Sequence, residues 1–145
     1  MTDTVTIDGA IFGFSTAYAK DAEWKQGLRE FFEYRDLGIT GGTGGQVRAH
    51  HLRVKHDGDT STLHTTGLHT HELTFQMIYI LKGWIEFVYH VKGQGVATSE
   101  QVHRFGPGDC CLQPPSILHN ELQCSDDLEL IEVTSPGNFE TKAAN

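Results

Sequence analysis

GLHTHELTFQMIYILKG, residues 67–83, decides the fold. His69 and His71 stand two apart, and on a β-strand residues i and i+2 project from one face, so both imidazoles can enter one cavity. His71 is followed after four residues by Gln76, and Gln76 is followed after six by Gly83, where Lys82-Gly83 is a tight-turn signal. Within FQMIYIL, Gln76, Ile78 and Ile80 share one face while Met77, Tyr79 and Leu81 share the other. The apolar character of both faces predicts burial on each side, one of them at a contact between two copies.

On either side of this stretch the sequence alternates in the same way. VRAHHLRV precedes a polar HDGD turn, and TLHTTGLHTH reads as a further strand running into the quoted one. WIEFVYHV follows Lys82-Gly83, VATSEQVHRF follows Gly93-Gln94-Gly95 as a second hairpin, and Gly106 to Asp109 marks the next turn. CCLQ, ILHNELQ and LELIEVTS complete the series, with breaks at Pro114-Pro115 and Ser125-Asp126-Asp127. Many short strands with almost no helix predict an all-β sandwich or barrel. Only AEWKQGLREFF, with Trp24, Leu28, Phe31 and Phe32, suggests a short helix or turn, and Gly41-Gly42-Thr43-Gly44-Gly45 reads as a hairpin loop. The predicted division is an arm with the first strands over 1–45, a barrel over 46–136 and a tail over 137–145.

At 145 residues the chain is one domain's worth, and 38% hydrophobic with 21% charged residues is enough for a core. Eleven basic against nineteen acidic residues leave −8, a field that repels polyphosphate and anionic lipid, so neither nucleic acid nor membrane is an expected partner. Cys110, Cys111 and Cys124 make neither a zinc-type spacing nor a disulfide framework, which points to a reducing cytoplasm. The opening MTDTVTIDGA has no basic-then-apolar pattern, and the longest apolar run, 77–81, is five residues. The nine histidines are the oddity, since full protonation would take the charge to +1 and imidazole is the commonest metal ligand.

A second string, GDCCLQPPSILHNELQ over 108–123, places Gly108 six before Pro114 and Pro114 five before His119. The two strings resemble the paired motifs of the cupin superfamily: His-x-His, three or four residues, Glu, six residues, Gly; then Gly, five residues, Pro, one residue, Gly, two residues, His, three residues, Asn. The resemblance covers His69, His71, Gln76 and Gly83, then Gly108, Pro114 and His119. It departs where Leu63 stands for the leading Gly, Gln76 for Glu, Ser116 for Gly and Gln123 for Asn. It implies a small antiparallel jelly-roll barrel, commonly a homodimer, with one divalent metal held by His69, His71 and His119 and with Gln76 as a possible fourth ligand.

Gln76 is the consequential departure. Three neutral imidazoles with a carboxylate leave a divalent site at +1, whereas an amide leaves +2 in a low-dielectric cavity and favours an anionic ligand. The amide binds weakly, or stays unbound and hydrogen-bonds a substrate. Such a metal, ringed by Ile, Phe, Tyr and Trp side chains, suits a small enolisable or aromatic oxygenated substrate. The resemblance implies Fe ahead of Zn, Ni or Mn and, with it, dioxygenase cleavage of a carbon–carbon bond. Non-oxidative cyclase (as in cupin-type polyketide cyclases), isomerase or lyase chemistry is the alternative, and a ligand-binding or sensory protein without turnover is a third reading.

Glu121 shares the face of His119 and joins Gln76 as a catalytic candidate, the alternative being a rim carboxylate in water. Glu72 reads as a surface charge, and Cys110 or Cys111 as a small inward hydrophobe. His50, His51, His64, His90 and His103 read as structural or surface residues, with His51 or His64 a possible additional ligand or hydrogen-bond donor to one.

Overall fold

The computed structural model describes residues 4–27, 29–92 and 98–144. The strands in chain order are β1 (Thr4–Ile7), β2 (Ala10–Gly13), β3 (Lys25–Gln26), β4 (Phe32–Asp36), β5 (Arg48–Val54), β6 (His69–His71) and β7 (Phe75–Lys82). They continue as β8 (Ile85–Val91), β9 (Ser99–Phe105), β10 (Cys110–Leu112), β11 (Leu118–Cys124), β12 (Glu129–Ser135) and β13 (Thr141–Ala143). β1 and β2 form a hairpin, and the others make two antiparallel sheets of order β10-β7-β12-β5-β4-β3 and β13-β6-β11-β8-β9. The all-β architecture is the expected one, and among the described residues no sheet closes on itself. The sheets extend past 46–136 on both sides, because β3 and β4 continue the first sheet and β13 pairs with β6. Among these residues no helix is long and apolar enough to cross a membrane.

The two sheets share one core, in which Leu52, Ile78, Ile80 and Leu130 of the first meet Ile85, Phe87 and Tyr89 of the second. Each such side chain contributes about 1.5–3 kcal/mol when removed from water. The inner face of β7 is the predicted one, with Gln76, Ile78 and Ile80 buried. Its other face is not covered within the chain: Tyr79 is 40% and Leu81 42% exposed. The turn at Gly83 has φ +70°, and the Gly93–Gly95 turn lies outside the described residues.

Two further expectations are corrected by local hydrogen bonding, and a third is decided by it. TLHTTGLHTH is not one strand: Thr60–Thr66 is a 3-10 helix whose first turn is capped by Asp59 accepting from the Ser61 N–H at 2.9 Å, and only His69–His71 is strand. The glycine-rich segment is not a hairpin loop, since Ile39–Gly42 forms one helical turn, α1. The Gly38 N–H donates to Asp36 Oδ1 at 2.9 Å before it, and the Thr43 hydroxyl donates to the Ile39 carbonyl after it. Over AEWKQGLREFF, of the two expected alternatives, the turn is the one present: the Phe32 N–H donates to the Arg29 carbonyl at 3.2 Å, while Lys25–Gln26 pairs with β4, which begins at Phe32.

Candidate metal centre

β6 lies beside β11, with His69 and His119 as direct register partners. Directly opposed residues share a sheet face, with Cβ atoms about 4.5–5.5 Å apart, and the i, i+2 spacing adds His71 to that face. The ring centroids are 4.4 Å apart for His69–His119, 4.9 Å for His69–His71 and 5.0 Å for His71–His119. One ligand atom from each lies within 4.8 Å of those of the other two.

Hydrogen bonds on the far edge of each ring fix its orientation. His69 Nδ1 lies 2.9 Å from the Gly67 carbonyl and His119 Nδ1 2.9 Å from the Ile117 carbonyl. A carbonyl only accepts, so in both rings Nδ1 carries the proton and Nε2 keeps its lone pair. His71 Nδ1 lies 2.8 Å from the Thr141 hydroxyl, which can accept in the same way. His69 Nε2 is buried and has no hydrogen-bond partner among the described residues. A buried acceptor left open among imidazole nitrogens is what a divalent cation would satisfy, so the donor set fits the metal that the sequence resemblance implies. Burial and the neighbouring rings hold His71 down to about 4, and burial likewise lowers His119, so both are neutral at physiological pH and able to ligate.

His69 and His71 border a cavity of about 450 Å³ between the sheets, whose lining also includes Gln76 and Glu121. Gln76, 4% exposed, donates from Nε2 to Glu132 Oε2 at 3.1 Å, which leaves its amide oxygen as the end without a donor among the described residues. Glu121 Oε2 lies 3.9 Å from His69 Nε2 and 3.7 Å from Arg29, and accepts from the Thr66 hydroxyl at 3.3 Å. It is therefore a cavity group beside the rings and not a rim carboxylate.

Sequence reasoning missed Glu132, Tyr34, Arg29 and Arg48, all of which line the cavity. Burial pushes the Glu132 carboxyl up, against the pull of Arg48 and of the Gln76 hydrogen bond, and burial also raises the Tyr34 phenol. The only signal for Glu132 was its alternation with Leu130 and Thr134, masked because the opposite face, Ile131 and Val133, is more apolar. His50 lines the cavity, whereas His51 points to the other face of β5, where it meets Glu129 at 2.9 Å and the edge of Trp24. His64 sits in the 3-10 helix, so neither it nor His51 joins the three-ring cluster. Glu72 is exposed and paired with Lys142. Cys111 is partly buried against the core, its thiol 3.6 Å from the Tyr89 hydroxyl. Phe32, Phe87, Phe139 and Ile78 supply the expected apolar wall, but no tryptophan does: Trp24 and Trp84 are each covered by an arginine, at 3.8 Å.

No protein-family model and no curated protein sequence matches the chain. Solved structures do. The polyketide cyclase RemF from Streptomyces resistomycificus superposes with a TM-score of 0.65 at 18% identity, over 92% of this chain and 87% of that one. KdgF from Halomonas sp. gives 0.59 at 16% identity, over 86% and 94%. HppE with FeII gives 0.57 at 12% identity, over 91% and 64%. These are cupin-fold proteins, and with two antiparallel sheets enclosing a three-histidine cluster, the chain has the cupin fold.

Proposed function

We propose that this chain is a metal-dependent enzyme that takes a small, enolisable, oxygenated substrate and moves protons on it without oxidising it, as in a cyclisation or isomerisation. The observation that carries this reading is the pair of carboxylates in the cavity that His69 and His71 line, Glu121 next to His69 and Glu132 next to Gln76. His69, His71 and His119 would hold a divalent cation, which when bound would supply Lewis-acid polarisation of a substrate oxygen and so acidify the adjoining C–H or O–H. Glu121, held by the Thr66 hydroxyl and facing Arg29, is placed to take that proton. Glu132, its carboxyl raised by burial, is placed to return one, and the Phe and Ile wall excludes water from the exchange. The likeness to a polyketide cyclase over nearly the whole chain supports this reading.

Oxidative carbon–carbon cleavage, which the resemblance put first, is the second reading, and the likeness to HppE with FeII favours only the iron that it would need. Zinc-loaded and Fe(II)-loaded protein given a β-diketone panel in heavy water separates the two. The expected result is exchange of the substrate's α-proton without oxygen uptake, slowed about 100-fold in Glu121→Gln. Oxygen consumed in step with substrate would establish cleavage instead, and binding with neither would establish a ligand-binding protein.

A further inference from the structure

Two guanidinium groups enter the cavity, and neither is used by the proton-transfer chemistry. Arg29 and Arg48 have side chains only 22% and 27% exposed, and both line the cavity. Each faces one carboxylate, Arg29 facing Glu121 and Arg48 facing Glu132, but at 3.7 Å in both cases, too far for a direct hydrogen bond. The carboxylates find their closer donors elsewhere, Glu121 in the Thr66 hydroxyl and Glu132 in the Gln76 amide. Among the described residues neither guanidinium donates a hydrogen bond within the protein, although each carries five N–H groups that seek acceptors when buried. The Phe139 ring, 5.0 Å from the Arg48 guanidinium carbon and 5.3 Å from the His71 ring, ties that arginine to the metal cluster while leaving N–H edges free. Arg29 and Gln26 line both this cavity and a second, polar groove bordered by Lys55, Thr62 and Thr65, so Arg29 stands where the two meet.

We propose that Arg29 and Arg48 form the recognition site for an acidic group of the substrate, so that the substrate class is a small carboxylic acid, or an equally acidic phenol or enol, with an apolar body. Its acidic oxygens accept the N–H groups that Glu121 and Glu132 leave open. Its apolar body lies on Phe32, Phe87 and Phe139, and its remaining oxygen reaches the histidines. This rests on the functional reading above for what happens next, but not for binding, because the arginines attract an anion whether or not a cation is present.

The test therefore uses metal-free protein first, where no metal cation is there to attract an anion. Salicylate and methyl salicylate, matched in shape and differing in one negative charge, are titrated into wild type, Arg29→Gln and Arg48→Gln, with amide and side-chain NMR shifts read out. Wild type is expected to bind the acid about tenfold or more tightly than the ester, and at least one variant to lose that preference while binding the ester as before. The dispersion of the same spectra reports whether each variant is folded, and the wild-type comparison stands without the variants. Equal affinity for acid and ester in wild type, or a preference that survives in both folded variants, overturns the proposal. Repeating the titration with zinc-loaded protein separates the two ideas: failure to retain zinc sinks the metal-dependent function and leaves the arginine site standing.

Discussion

At the scale of single residues the site is an arrangement of lone pairs. Backbone carbonyls fix the Nδ1 protons of His69 and His119, leaving their Nε2 lone pairs open, and the Thr141 hydroxyl holds the His71 ring from its Nδ1 side. His69→Ala and His119→Ala are each expected to abolish stoichiometric metal while leaving a folded β-domain, read by elemental analysis beside circular dichroism. Full occupancy in either would show the ion to be held elsewhere. Thr141→Val keeps the shape at His71 but removes the oxygen that orients its ring, and should weaken zinc about tenfold in competition with a chelator dye. Unchanged affinity would mean that the strand, and not the hydroxyl, sets the ring.

Among the elements, β6 and β11 matter most to the site, and the turns keep them in register. Gly83, between β7 and β8, combines φ +70° with a position where an added Cβ would lie 2.9 Å from the Leu128 Cα. Gly83→Ala is therefore expected to cost about 2 kcal/mol or more in chemical denaturation, from left-handed strain together with overpacking. A loss below the error of the measurement would show that the turn relaxes. The strand content was legible because alternation is a local property, and β7 and β11 fall where their apolar periods put them. The 3-10 helix at Thr60–Thr66 was not, because it depends on one side-chain cap at Asp59 and on Leu63 finding a fully buried place against residues distant in sequence.

Over the whole molecule, burial of histidine couples stability to pH. His71, His119 and His50 are all held below the ordinary histidine value, each first by desolvation. The unfolded chain then binds protons more readily than the folded one, so stability is full above about 6.5 and declines as pH falls toward the folded values, about 4 for His71. Glu132, raised by burial, pulls the other way over the carboxylate range. Metal-free protein should accordingly unfold at lower denaturant at pH 5 than at pH 7.5, with His71→Asn showing a shallower dependence. Equal midpoints in wild type, or an unchanged slope in the variant, would remove His71 as a contributor. By itself the sequence determined an all-β chain with His69 and His71 on one face and His119 in a second matching string, because period-two alternation and motif spacing are written along the chain. Only the tertiary structure decided that Glu121 faces the rings, and that Glu132 of β12, Arg48 of β5 and Arg29 close the same cavity. Those positions come from pairing between strands far apart in sequence, and which face of a strand turns inward is settled by what the opposite sheet presents to it.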